Sequence, residues 1–163
     1  MMAATDLPAH LQRHPTRAAV DRLAVRLGLP NEPGMQDWEW EVADAERLDE
    51  FFALYGDPEL SEDDRFTLME TIIQSCENLG DALDEDRRWA EVRTLLEKNI
   101  DLHISSVWYW AALDTTLDDA WRVSPFMRGL VDKHRRRFVS NREDPLQVSG
   151  DIVNTRPSGT KPR

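Results

Sequence analysis

Apolar positions recur at helical spacing along most of the chain. Val20, Leu23, Ala24 and Leu27 fall on one face of a helix over 16–27, stopped by Gly28 and Pro30. Residues 31–34 read as a linker. Over 37–42, Trp38 and Trp40 alternate with acidic residues, the spacing of a short strand or an extended lead-in. Asp44 then caps a helix carrying Leu48, Phe51, Phe52 and Tyr55, which Gly56 ends. Ser61 caps the next, with Glu62, Asp63 and Asp64 in its first turn, where the helix dipole favours negative charge. Phe66, Met69, Ile72, Ile73, Cys76 and Leu79 form its apolar stripe, and Gly80 closes it. Asp84 opens a third helix with Trp89, Val92, Leu95 and Leu96 inward, ended by Asn99 in a left-handed conformation. Asp101 caps a fourth through Ile104, Val107, Trp108, Ala111 and Ala112. The β-branched and aromatic residues of 104–109 also suit a strand, but the length and the following Ala-Ala-Leu decide for helix. A helical turn over 117–122 follows, then a helix opened by Ser124-Pro125 and running through Phe126, Leu130, Val131 and Phe138.

These elements predict an all-α fold of antiparallel helical hairpins, as a bundle or a short helical-repeat-like stack. The hairpins are 44–56 with 61–79 and 85–98 with 102–113; no fixed-period motif marks a repeat family. The expected organisation is an N-terminal arm with a short helix (1–36), an acidic helical domain (37–138) and a disordered tail (139–163). Pro145, Gly150, Pro157, Gly159 and Pro162 and the loss of apolar periodicity mark the tail.

Composition narrows the function. The chain has 163 residues, a formal charge of −11 and one cysteine, which excludes an intramolecular disulfide framework and a four-cysteine zinc site. Its longest apolar run, 107–113, is seven residues; a bilayer span needs about 18. No signal-type hydrophobic block occupies the first 30 residues, so a cytoplasmic protein is expected. The charge is uneven: residues 37–122 carry net −17 and all six tryptophans, between flanks of +1 and +5. Such a field repels nucleic acid and speeds encounter with a basic partner.

The candidates for chemistry are few. Cys76 with His103 would be a nucleophile and base, but Cys76 lies on an apolar stripe, where a thiol is ordinarily a small buried hydrophobe. His10 and His14 have i, i+4 spacing, but Leu11 follows the first and Pro15 the second, against a zinc-protease helix. The acidic run 81–86 lacks the turn glycine and terminal Glu of a calcium loop. No phosphate-binding glycine loop and no G-x-S-x-G is present. The basic run 133–137 complements a helix C-terminus. No catalytic residue, metal site or cofactor is expected.

Binding is therefore the expected function. Acidic clusters lie at 57–64, 81–86 and 114–119. The residues expected to meet a basic partner are Asp63, Asp64, Asp81, Asp84, Glu85 and Asp86, with Trp110 as aromatic anchor. Three stretches, 65–76 (RFTLMETIIQSC), 99–110 (NIDLHISSVWYW) and 119–127 (DAWRVSPFM), carry a general likeness. Over 37–138 the chain resembles the small acidic immunity proteins of bacterial toxin systems. The resemblance implies a protein that binds one cognate toxin and neutralises it without chemistry of its own. The alternatives are a helical-repeat scaffold or regulatory subunit, and a small enzyme using carboxylates or Cys76.

Overall fold

A computed structural model describes residues 7–138; the expected tail over 139–163 lies outside the described residues. The fold is all-α, with no strand among the described residues. Its helices are α1 (Arg17–Leu27), α2 (Trp38–Glu41), α3 (Leu48–Tyr55), α4 (Glu62–Glu77), α5 (Arg87–Lys98), α6 (Ile100–Ala111) and α7 (Ser124–Lys133). A short 3-10 turn at Ala9–Leu11 precedes them, and others at Ala45–Arg47 and Gly80–Glu85 lie between them. None of the described helices is long and apolar enough to cross a membrane.

α4 is the centre. Helices α1, α2, α3, α5 and α6 all pack on it, and α7 packs on α6. A helix enclosed by neighbours must bury polar positions as well as apolar ones, and α4 buries Thr67, Glu70, Thr71 and Ser75 beside Phe66, Met69, Ile72, Ile73 and Cys76. The polar stripe is used for docking. The Thr71 hydroxyl donates to the Glu39 carbonyl at 2.7 Å, and Ser75 Oγ accepts from the Asp44 amide at 2.9 Å. α1 joins the same core through Val20, Leu23, Ala24 and Leu27, so this helix is built into the acidic helices. Arg22 clamps the Asp64 carboxylate from α1, at 2.7 Å through Nη2.

The caps decide where helices start. Ser61 Oγ accepts from the Asp64 amide at 3.1 Å, while the Asp64 carboxylate turns to Arg22 instead of closing a reciprocal box. Ser61→Ala is expected to cost about 1 kcal/mol in urea denaturation, because one amide of the first turn loses its acceptor. Gly28 ends α1 in the left-handed region at φ 63.

Six expectations are corrected. Residues 38–41 form a helical turn, not a strand. No neighbouring strand is there to pair them, and the turn closes its own hydrogen bonds, from the Trp40 and Glu41 amides to the Asp37 carbonyl, both 2.9 Å. The third helix starts at Arg87, with Asp86 as its cap; Asp84 lies in the preceding 3-10 turn. Asn99 is not left-handed (φ −112); as the single residue between α5 and α6 it makes a sharp corner, and Asp101 lies within the first turn of α6. Residues 117–120 form non-helical turns, and Ser124 stands inside α7, where its hydroxyl donates to the Trp110 carbonyl at 2.7 Å.

Candidate functional site

The residues expected to bind a partner do not form one surface. Asp63 and Asp64 stand at the start of α4, and the 81–86 cluster lies beyond its end, about 24 Å away along the helix axis at 1.5 Å per residue. Asp81, Asp84 and Glu85 are exposed on the Gly80–Glu85 turn, with Asp81 3.0 Å from Arg122. Asp86 is spent internally: it caps α5 through the Arg88 amide at 2.8 Å and accepts from the Arg88 guanidinium, which holds its carboxyl below the usual range. Asp63 pairs with Arg13 at 2.8 Å, and Asp64 is buried against Arg22. Trp110 is 1% exposed and cannot act as a surface anchor. Burial of Asp64 and Trp110 therefore removes both from the expected contact set.

The aromatic residues assemble elsewhere. α6 is covered on two sides, so Trp108 and Trp110 both turn inward and leave Tyr109, between them, 45% exposed. Trp40 stacks on the Tyr109 ring at 5.4 Å and 20°, and Trp121 packs on it at 5.2 Å and 30°. Tyr109, Ser105 and His14 form the common wall of two adjacent cavities. The outer one, about 420 Å³, is lined by Trp108, Trp121, Asp114 and Asp119 as well. The inner one, about 380 Å³, is lined by Trp40, Phe66, Glu39 and Glu70.

The N-terminal segment closes one side. The Arg13 amide donates to Ser105 Oγ at 3.1 Å, and that hydroxyl donates to the Arg13 carbonyl at 3.2 Å. This stitch sets Arg13 and His14 over α6. The Arg13 guanidinium lies 5.8 Å from the Phe66 ring centroid while held by Asp63.

Glu70 is the unusual group. It comes from the middle of α4 and is 5% exposed. Its Oε1 accepts from the Trp40 indole at 2.9 Å and the Trp110 indole at 3.2 Å. Burial pushes its carboxyl above the usual range, and the two indole N–H groups partly offset this. The Ser106 hydroxyl acts in the same direction as the indoles without making a hydrogen bond of good geometry. Glu39, 8% exposed, is raised too, first by burial and then by the neighbouring Glu70, Asp37 and Glu41 charges. Two carboxyls held toward their neutral forms thus border one aromatic cavity.

Other candidates stand apart. Cys76 is buried and its thiol is pushed up to about 12 by burial. His103 is buried with its pKa down to about 3, and its Nε2 shares a 2.7 Å hydrogen bond with the Tyr55 hydroxyl. No group of three His, Cys, Asp or Glu side chains able to hold a metal occurs among the described residues.

Sequence reading missed Trp40, Glu39, Glu70, Tyr109 and Trp121 as a set. One signal was present: Glu70 is the lone charge over the mostly apolar stretch 66–73. The chain matches no family model, no curated protein and no solved structure, so the cleft is read from its own residues.

Proposed function

We propose that this chain is a non-catalytic binding module that takes a basic protein partner on an acidic, aromatic face, as an inhibitor of the immunity type. The observation that carries this reading is the exposed Tyr109 ring between Trp40 and Trp121, beside Asp37, Asp114 and Asp119, which form no ion pair among the described residues. An aromatic anchor ringed by unpaired carboxylates suits a cationic partner surface: the ring supplies contact area and the charges supply orientation and on-rate. The resemblance to toxin-immunity proteins makes a cognate toxin the partner within this reading, and places the chain in the bacterial cytoplasm. The proposed site moves from Asp81, Asp84, Glu85 and Asp86 to the Tyr109 face, where, among the described residues, carboxylates without an ion pair meet an exposed aromatic ring.

The test is affinity capture from the source cell at low and moderate salt, with captured proteins identified. One stoichiometric basic protein, captured less well as salt rises, is the expected result. Asp114→Lys, Asp118→Lys and Asp119→Lys together should abolish capture with helical content unchanged, whereas Asp81→Lys, Asp84→Lys and Glu85→Lys together should reduce it far less. Loss with the second set and retention with the first would move the site back to the 81–86 turn. Absence of a partner at either salt would overturn the reading.

A second reading, a small enzyme, is favoured by the Glu39 and Glu70 carboxyls, both raised and both lining one cavity.

A further inference from the structure

We infer that the inner cavity, bounded by α2, α4, α6 and the segment around Arg13, is a binding site for a monoalkyl guanidinium group. Glu70 is buried in the middle of the central helix, where an unpaired carboxyl is costly. Its Oε1 takes both indole donors, and no hydrogen bond from a described residue reaches Oε2. Glu39 lines the same cavity, is as deeply placed, and takes no side-chain hydrogen bond from another described residue. Glu70 Oε2 and the Glu39 carboxyl thus border one cavity without a hydrogen bond from a neighbouring side chain, so the partner they can still take is a donor that arrives from outside.

The walls narrow its chemistry. Trp40, Phe66 and Tyr109 present aromatic surface to the cavity. A planar cation stacks on such surface while donating to a carboxylate at its edge. Arg13 makes this arrangement at the rim: its guanidinium lies over Phe66 and is held by Asp63. An anion is disfavoured, because Glu39, Glu70 and Asp37 line the cavity and Arg13 is already engaged by Asp63. A metal ion is disfavoured, because such ions take several oxygen, nitrogen or sulfur ligands at once and no three His, Cys, Asp or Glu side chains among the described residues are placed to hold one. Between organic cations, guanidinium is the better fit. It is more weakly hydrated than ammonium, loses less on entering an apolar space, and its parallel N–H groups match a carboxylate. The volume, about 380 Å³, suffices for a guanidinium on a short alkyl stem.

The source is a free small guanidine or an arginine side chain of the basic partner. The inference does not rest on the partner reading, since a free guanidine would use the same groups. The experiment is calorimetric titration of the full chain with three probes. These are butylguanidinium, the neutral isostere butylurea, and a blocked Gly-Gly-Arg-Gly-Gly peptide. One-to-one binding of butylguanidinium or of the peptide, at least tenfold tighter than butylurea, is the expected result. Binding of butylguanidinium alone assigns the site to a free small molecule, and binding of the peptide alone assigns it to a protein arginine. Glu70→Gln and Glu39→Gln should each weaken the cation at least tenfold with the circular dichroism spectrum unchanged. Glu39→Gln carries the test if the Glu70 variant fails to fold. Equal binding of butylurea, no binding of either cationic probe, or full affinity in a folded Glu39→Gln variant would overturn the inference.

Discussion

Replacing Glu70 by Val is expected to destabilise the protein by about 3 kcal/mol near pH 5.5, because the Trp40 and Trp110 indole N–H groups lose their shared acceptor in the interior. Each unsatisfied buried donor costs about 1–3 kcal/mol, and Trp110 has no route to water without moving α6. Glu70→Gln should behave differently, since its amide oxygen still accepts from the indoles. The comparison with wild type then isolates the carboxyl charge. Burial raises the folded pKa of Glu70 above its ordinary 4.5. The folded state therefore holds the proton more tightly than the unfolded chain. That contribution is fully present below 4.5 and is lost as pH rises through the raised value. The stability of Glu70→Gln relative to wild type should accordingly increase between pH 5.5 and pH 8 in urea denaturation. A gap independent of pH would show that Glu70 is not charged with difficulty in the folded protein. The lower pH stays clear of the isoelectric point, near 4.8.

Arg128→Ala should be comparably severe, about 3 kcal/mol, and lower the melting temperature by about 6–12 °C. Arg128 reaches back from α7 to the end of α6, where helix carbonyls have no intrahelical donor. Its guanidinium donates to the Ala111 carbonyl at 2.7 Å, the Ala112 carbonyl at 2.5 Å and the Thr115 carbonyl at 2.7 Å. Ala112 occupies the left-handed region at φ 51, which costs a residue with a Cβ about 1–2 kcal/mol. The three hydrogen bonds hold that conformation, and the positive charge complements the helix end. Arg128→Lys should recover no more than about a third of the loss, because one ammonium cannot span three carbonyls in this geometry. If the proposed basic partner is captured, its capture should fall as well, since the released turn carries Asp114 and leads to Asp119 and Trp121. A variant as stable as wild type would mean that these carbonyls are satisfied without the guanidinium.

The helices were legible where a local rule decides them. Ser61 caps α4 and Gly28 ends α1 because both depend on neighbours a few residues away. The site was illegible because its geometry depends on enclosure. Trp38 and Trp40 look alike in sequence, yet in a helical turn they diverge: Trp38 donates to the Pro30 carbonyl at 2.7 Å, and Trp40 reaches Glu70. Trp110, expected as a surface anchor, is buried. Helix phase alone leaves Trp110 free, whereas α6 is covered on two sides, and the half-buried Trp121 borders the outer cavity. Asp64 reads as one more first-turn acid, because its partner Arg22 lies 42 residues upstream and no local pattern links them. The Glu70 position had a visible signal, a solitary charge amid apolar residues. Its indole partners came from two other helices and could not be named from the run itself.

The enclosure of α4 has a consequence for how the molecule opens. Its Leu68, Met69, Ile72 and Ile73 are covered by several helices at once, so no single peripheral helix can detach and expose the whole of it. Backbone amides at its middle should then exchange with solvent deuterium only through whole-molecule unfolding, while those of the 112–120 turn exchange through small local openings. Slow exchange at the centre would report the stability of the whole helical fold, and the turn beside Tyr109 would have its own, shallower clock.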